Sequence, residues 1–328
     1  MRSLSFTRSS RFRMLTAASA TTASVASNAS NDSRCPIRKN RAAGTGRGLC
    51  RRWRYDHRVT DFELAHRYDT VNLYRRGAAA KLELNRPDRM NAWNAQLARD
   101  LLDALTSVGE DAGVHAVLLT GAGRAFSSGA DLKESQSLDE AGPPDLYSVL
   151  TQRYHPLIFG VREMPKPVVA AVNGAAAGIG LSLALACDLV VAAESAYFLL
   201  AFVNIGLVPD GGSSLLVPTR VGFARAAEMA MLGERIAAGQ ALEWGMINRV
   251  WPDGEFAARA EELLIRLADG PTRAHAGIKR QLNNWLYQRM GEQLEFEAKI
   301  QQEMGASGDF AEGVRAFTEK RPPRFTGA

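Results

Sequence analysis

Cysteine, histidine and long apolar runs are scarce in this chain, and each scarcity removes a class of function. Cys35, Cys50 and Cys187 are the only cysteines. They give no disulfide framework and no paired metal spacing, and they point to a reducing compartment. The histidines, His57, His66, His115, His155 and His275, show no ligand spacing and read as structural or surface residues. No stretch reaches about 18 uninterrupted apolar residues, so no membrane span is expected. Gly121-Ala122-Gly123 is followed by Phe126 where a dinucleotide fingerprint needs its third glycine. No G-x-S-x-G elbow surrounds Ser127 or Ser128, which argues against a nucleophilic serine.

Acidic residues are nearly missing from the first 60 positions, where Asp32 and Asp56 face 13 basic residues, a formal charge of +11. The whole chain carries +5, so residues 61–328 carry −6. The basic character therefore belongs to the extension. Rich in Ser, Thr, Ala and Arg and without an apolar period, residues 1–60 are expected to be disordered. They read as a transit peptide, as a basic nucleic-acid arm, or as upstream sequence appended by a mis-chosen start codon. We take the last of these, which leaves a cytoplasmic protein; a true transit peptide would make it mitochondrial.

From Tyr68 onward short β-type runs alternate with helical ones, as in an α/β layered architecture. Strands are expected at Thr70–Tyr74, Ala79–Leu84, Ala116–Thr120, Val168–Val172, Leu189–Ala193 and Arg249–Trp251. Helices are expected at Asn94–Ser107, Gly180–Ala186, Ser214–Thr219, Phe223–Leu232, Ala238–Trp244 and Glu255–Leu267. Ser135–Asp145, with Gly142-Pro143-Pro144, reads as a mobile loop. The chain thus divides into the extension 1–60, a core over 61–268 and a helical region over 269–328. In that last region Ile278, Leu282, Trp285, Leu286, Leu294 and Phe296 recur at helical intervals and suggest packing against another subunit or the core.

Between Glu194 and Glu228 the one acidic residue is Asp210, set in Phe202-Val203-Asn204-Ile205-Gly206-Leu207-Val208-Pro209-Asp210-Gly211-Gly212. Pro-Asp-Gly-Gly is good turn chemistry, and Asp before a helix is a favoured N-cap. The other reading is a proton-transfer group. A cap wants solvent, whereas a base that strips a proton from carbon wants burial, which raises its pKa toward working pH. The apolar approach from Leu199 to Val208 suits the base.

Three further segments carry the remaining signal. Leu82-Glu83-Leu84-Asn85-Arg86-Pro87-Asp88-Arg89-Met90-Asn91 is a strand entering a turn. Ala116-Val117-Leu118-Leu119-Thr120 runs into the Gly/Ser-rich Ser127-Ser128-Gly129-Ala130-Asp131-Leu132. Val168-Val169-Ala170-Ala171-Val172 leads through Gly174 and Gly178 into the helix at Ile179-Gly180-Leu181-Ser182. Alone, the glycines fit a tight strand-to-helix crossing. In this order, and followed by Gly206 to Gly212, the segments resemble the crotonase, or enoyl-CoA hydratase/isomerase, superfamily from about residue 65 to the end. Within it the pattern is most similar to ring-opening epoxyphenylacetyl-CoA isomerases of phenylacetate breakdown. The C-terminal run from Glu312 to Gly327 contributes to that likeness.

The resemblance implies a crotonase-type ββα spiral core with a C-terminal helical trimerisation region, assembled as a trimer or dimer of trimers. It also implies an acyl-CoA substrate and no cofactor besides the CoA that the substrate carries. Chemistry next to a thioester passes through an enolate, whose oxygen needs hydrogen-bond donors, each worth about 2.7–4 kcal/mol in the transition state. By resemblance the amides of Ala130 and Ile179 form this oxyanion hole, Ile179 replacing a glycine found in many relatives. Ile179 would have a helix dipole behind it. The resemblance further places CoA against Arg89, Met90, Ser128, Asp131, Leu132 and Lys320, with Arg321 as another phosphate partner. Phe126, Ser182 and Phe202 would line the acyl pocket, although Phe126, Phe202, Trp93 and Leu200 suit a core equally well.

Hydratases of this type carry two glutamates that activate water, and the matching positions here are Ser182 and Phe202. That favours isomerisation with Asp210 as the single acid/base, because one carboxylate can remove a proton and return it elsewhere. The enzymatic alternative is an enoyl-CoA hydratase. The non-enzymatic one is an RNA-binding crotonase-fold protein using the basic arm, although no nucleic-acid partner is expected.

Overall fold

The computed structural model describes residues 61–132 and 143–328. The extension 1–60 and most of the loop expected at Ser135–Asp145 lie outside the described residues.

Among the described residues eleven strands follow in order: β1 Glu63–Arg67, β2 Val71–Arg76, β3 Ala79–Leu84, β4 Ala116–Gly121, β5 Ala125–Ser127, β6 Val168–Val172, β7 Ala175–Ala177, β8 Leu189–Ala193, β9 Tyr197–Leu199, β10 Arg235–Ala237 and β11 Arg249–Trp251. They form two sheets. The larger has the order β1-β2-β3-β4-β6-β8-β11, and the smaller β10-β9-β7-β5. The first three strands of the large sheet pair antiparallel; from β3 to β11 every pairing is parallel. In the small sheet β5, β7 and β9 are parallel.

The chain alternates between the sheets and then enters a helix, so each turn of the spiral is strand, strand, helix. β4 and β5 precede α2 (Leu146–Val149) and α3 (His155–Glu163), and β6 and β7 precede α4 (Ile179–Ala186). The crossing from the large to the small sheet is close. A Cβ on Gly174 would overlap the Arg124 carbonyl, so only glycine lets β6 pass into β7. Val, Ala and Leu fill the parallel strands, which are buried throughout β6 and nearly so in β4 and β8, as expected when both faces are covered. α1 (Ala95–Glu110) and α9 (Asp253–Ala268) pack against the large sheet. The Asn94 side chain caps α1 through the Leu97 amide.

The expected strands are all present, with ends shifted by a residue or so. Five were not anticipated. β5, β7, β9 and β10 are three residues long, too short to establish a period. β1 is exposed along its whole length and shows no alternation. The segment from Leu146 to Glu163 was also missed. It is helical, but Pro156, Gly160 and a π-helical turn over Leu150–Tyr154 break its pattern.

After Gly270 come α10 (Thr272–Leu286), α11 (Met290–Gly305) and α12 (Gly308–Glu319). Here the apolar residues divide. Leu294 is buried, but Ile278, Leu282, Trp285, Leu286 and Phe296 are exposed. The inward faces instead carry Lys279, Glu297 and Gln301, all polar and buried. Lys279 donates to Asp188 (2.8 Å) and to the carbonyls of Val161 and Lys166. Arg162 of α3 also pairs with Asp188, at 3.3 Å, and it bonds to Asn283 of α10.

Candidate active site

Two turns meet at the opening of α4. Gly129 has φ +95° and Gly178 φ +52°, values that disfavour any side chain. A Cβ on Gly178 would stand 3.8 Å from the Gly129 Cα, so the residues that follow, Ala130 and Ile179, come side by side. Gly180 sits against Ser127, with no room for a methyl group. Ser127 is fully buried and donates to the Asn91 carbonyl (2.9 Å) while accepting from the Gly129 amide (3.3 Å).

Asn91, which the sequence reading passed over, locks the neighbouring turn. Its side-chain amide donates to the carbonyls of Ala122 and Ala125, and its side-chain oxygen accepts from the Arg86 amide. Ser128 donates its amide to the Met90 carbonyl, and Trp93 and Ala130 form an isolated parallel bridge. Bridge geometry leaves the Ala130 amide outside the ladder. Among the described residues, no protein acceptor takes the amide of Ala130 or of Ile179, the first residue of α4.

Asp210 lies against the same helix. Ser182 of α4 donates its hydroxyl to the Asp210 main-chain carbonyl (2.8 Å), and the Ile179 side chain leaves Gly211 no space for a Cβ. Phe202 covers Gly178 from the other side. The structure thus gathers Ala130, Ile179, Ser182, Phe202 and Asp210 at one place.

The cap reading of Asp210 does not hold. α5 (Ser213–Leu216) begins three residues later with Gly212 at its N-cap, and no side chain caps it. Asp210 is 4% exposed; Oδ2 accepts from Gln301 Nε2 (2.8 Å), and Oδ1 is buried with no partner among the described residues. Burial pushes the carboxyl up to about 8, the nearby charge of Glu297 adds to the rise, and the Gln301 hydrogen bond opposes it.

Glu297 is a second buried carboxylate that the sequence reading did not find. Burial raises it to about 7, against the pull of its hydrogen bonds. Its oxygens accept from the amides of Gly212 (2.7 Å) and Ser214 (3.0 Å) and from the Ser214 hydroxyl, so both are committed to holding the turn. Asp210 keeps a free oxygen. Glu297 does not.

The expected CoA contacts divide. Arg89 is exposed, and Met90 and Ser128 are half-buried on the joined turns, with Leu132 at the end of this described stretch. The Asp131 carboxylate is taken by Arg86 at 3.0 Å. Arg321 is likewise engaged, with both nitrogens of its fork on Glu312 and its Nε on Glu319. Lys320 is exposed at the C-terminal end of α12. Phe126 and Trp93 are buried among the core side chains, 0% and 2% exposed. No cluster of metal-ligating side chains occurs among the described residues.

The sequence profile of the enoyl-CoA hydratase/isomerase family matches residues 75–328. The chain belongs to that family. It is 44% identical over 260 residues to a probable enoyl-CoA hydratase of Rhodobacter capsulatus, covering 79% of this chain and 99% of that one. Over 247 residues it is also 44% identical to the 1,2-epoxyphenylacetyl-CoA isomerase of Escherichia coli, covering 75% and 94%. The crystal structure of an enoyl-CoA hydratase from Mycobacterium avium subsp. paratuberculosis superposes with a TM-score of 0.72 at 37% identity, covering 79% of this chain and all of that one. These relatives establish the crotonase fold and an acyl-CoA hydratase/isomerase family enzyme. No described helix is long and apolar enough to cross a membrane.

Proposed function

We propose that this protein is an acyl-CoA isomerase in which Asp210 moves a proton on a thioester-stabilised enolate. The observation that carries the reading is the Asp210 carboxylate itself, buried and raised to about 8, with Oδ1 unpartnered. The thioester oxygen would sit between the amides of Ala130 and Ile179, whose dipole and hydrogen bonds favour the enolate over the ground-state carbonyl.

With a 3-enoyl-CoA, Asp210 breaks the α C–H bond and takes the proton. The electron pair delocalises over the enolate, and the proton returns at the γ-carbon to give the conjugated 2-enoyl-CoA. Nothing is consumed, so one carboxylate is enough. The same enolate chemistry would serve the opening of an epoxide or ring beside the thioester, the reaction class suggested by the name of the E. coli relative. Hydration would need a second free carboxylate to activate water, and both Glu297 oxygens are occupied. Ser182 is fully buried on the Asp210 carbonyl, and Phe202 closes the adjacent wall.

A panel of acyl-CoA thioesters, including trans-3-hexenoyl-CoA and 2-enoyl-CoAs, tests this directly. Isomerisation changes the absorbance without changing the mass. A product heavier by one water would establish hydration instead and sink the isomerase reading.

The exposed Ile278, Leu282 and Trp285 of α10 support assembly as a trimer or dimer of trimers, in which a neighbouring copy covers them. Light scattering at micromolar concentration on a chain starting near Asp61 is expected to give that mass; a monomer would contradict the assembly.

A further inference from the structure

Two side chains one helical turn apart on α11, Glu297 and Gln301, hold every second residue of the acid-bearing loop. Gln301 accepts from the Val208 amide (3.1 Å) and donates to Asp210 Oδ2 (2.8 Å). Glu297 accepts from the amides of Gly212 and Ser214. Their own exposures are 1% and 3%, so water does not compete for these bonds. The orientation of the Gln301 amide is decided by chemistry. The Val208 N–H can only donate, so it must meet Gln301 Oε1, and Nε2 is then forced toward Asp210. One carboxylate oxygen is thereby tied down and the other left without a partner among the described residues.

We propose that Gln301 is a positioning residue that divides the two oxygens of Asp210 between tasks, Oδ2 to the fold and Oδ1 to the migrating proton, while Glu297 fixes the turn that carries them. The inference rests on reading Asp210 as the proton-transfer group. It adds that α11, a helix of the C-terminal region, sets the geometry and the charge of that group. The groups facing Asp210 are Glu297 and Gln301 from α11, the Ser182 hydroxyl from α4 and the Ser213 hydroxyl from α5. Glu297 is the ionisable one among them. Its negative charge raises the Asp210 carboxyl, and the Gln301 donor lowers it, so the two act in opposite directions.

The test uses Gln301→Glu and Glu297→Gln, which nearly preserve volume, with trans-3-hexenoyl-CoA as substrate. Gln301→Glu removes the donor and adds a carboxyl, so the pH at which kcat/KM levels off should move up. Glu297→Gln removes a charge, so the same midpoint should move down. Gln301→Glu should also lower kcat about 10–100-fold with KM little changed, because misplacing the base costs the chemical step and not binding. The pH dependence of thermal stability, which needs no turnover, should show the same opposed shifts. Unshifted midpoints, or midpoints that move the same way in both variants, overturn the inference. If instead Asp210→Asn retains full activity, the reading of Asp210 fails first, and the two failures are told apart by that one variant.

Discussion

Replacing Asp210 with Asn is expected to lower isomerase turnover by about 10²–10⁴-fold, the usual worth of general acid–base catalysis, with the fold and thioester binding retained. The fold should survive because the neighbouring serines do not use the side chain. Ser182 and Ser213 both bond to the main-chain carbonyl of residue 210, each at 2.8 Å, and that carbonyl is untouched by the substitution. An Asn side chain can also present its oxygen to Gln301 Nε2 and keep that contact. What it then offers to the substrate is an NH₂ group, which cannot accept a proton from carbon. Steady-state kinetics on trans-3-hexenoyl-CoA, with calorimetric binding of a saturated acyl-CoA, separate the two effects. Turnover within about threefold of the parent would show that Asp210 is not the proton carrier.

The second large effect is on stability as a function of pH. Asp210 titrates near 8 in the folded chain against 3.8 as an ordinary carboxyl, and Glu297 near 7 against 4.5. Between those values the native state holds protons that the unfolded chain has released. The stabilisation from this proton binding is fully present below about pH 4 and is lost as pH rises through 7 and 8. At about 1.36 kcal/mol per unit, Asp210 alone sets an upper bound of about 6 kcal/mol across the window. Asp210→Asn cannot ionise, so it should flatten the decline and be more stable than the parent above pH 8. Denaturant unfolding at pH 5, 7 and 9 measures this. Parallel pH curves for the two proteins would mean that the carboxyl is not held protonated by burial. A site that gains stability when its working group is removed is the expected signature of a functional compromise.

Much of the architecture was legible because long parallel strands are written in Val, Ala and Leu and need no partner to be noticed. The segments around Gly129, Gly178 and Asp210 were legible as well, since glycines at strand ends and an acid in apolar surroundings are both locally anomalous. The rest was hidden for identifiable reasons. Glu297 and Gln301 sit in Gly291-Glu292-Gln293-Leu294-Glu295-Phe296-Glu297, a run on to Gln301 and Gln302 whose charge density reads as a solvated face. Hydrophobicity alone does not show which face turns inward: Phe296 is 58% exposed and Glu297 is buried. The polar face turns inward because the loop from Val208 to Ser214 presents unpaired amides that only acceptors can satisfy. That demand comes from a segment some 85 residues away in sequence, beyond the reach of any local pattern. Nor does a sequence show that the Asp131 carboxylate pairs with Arg86 or that Arg321 pairs with Glu312.

The far end of α4 bears on its near end. Arg162 donates to the carbonyl of Ala186, and Arg220 to those of Leu185 and Cys187, all in or just past the last turn of that helix. Lys279 stands close by, and it and Arg162 both pair with Asp188, at 2.8 and 3.3 Å. Eight residues of helix span only about 12 Å. Positive charge behind the C-terminus complements the helix dipole, and its potential is weakly screened through the protein interior. An anion arriving at the first turn of α4 therefore meets a field assembled in advance at the far end of that helix, by Arg162 of α3, Lys279 of α10 and Arg220 of the short helix Pro218–Val221. In this sense the electrostatics of the cleft belong to the whole body and not to the few side chains that line it.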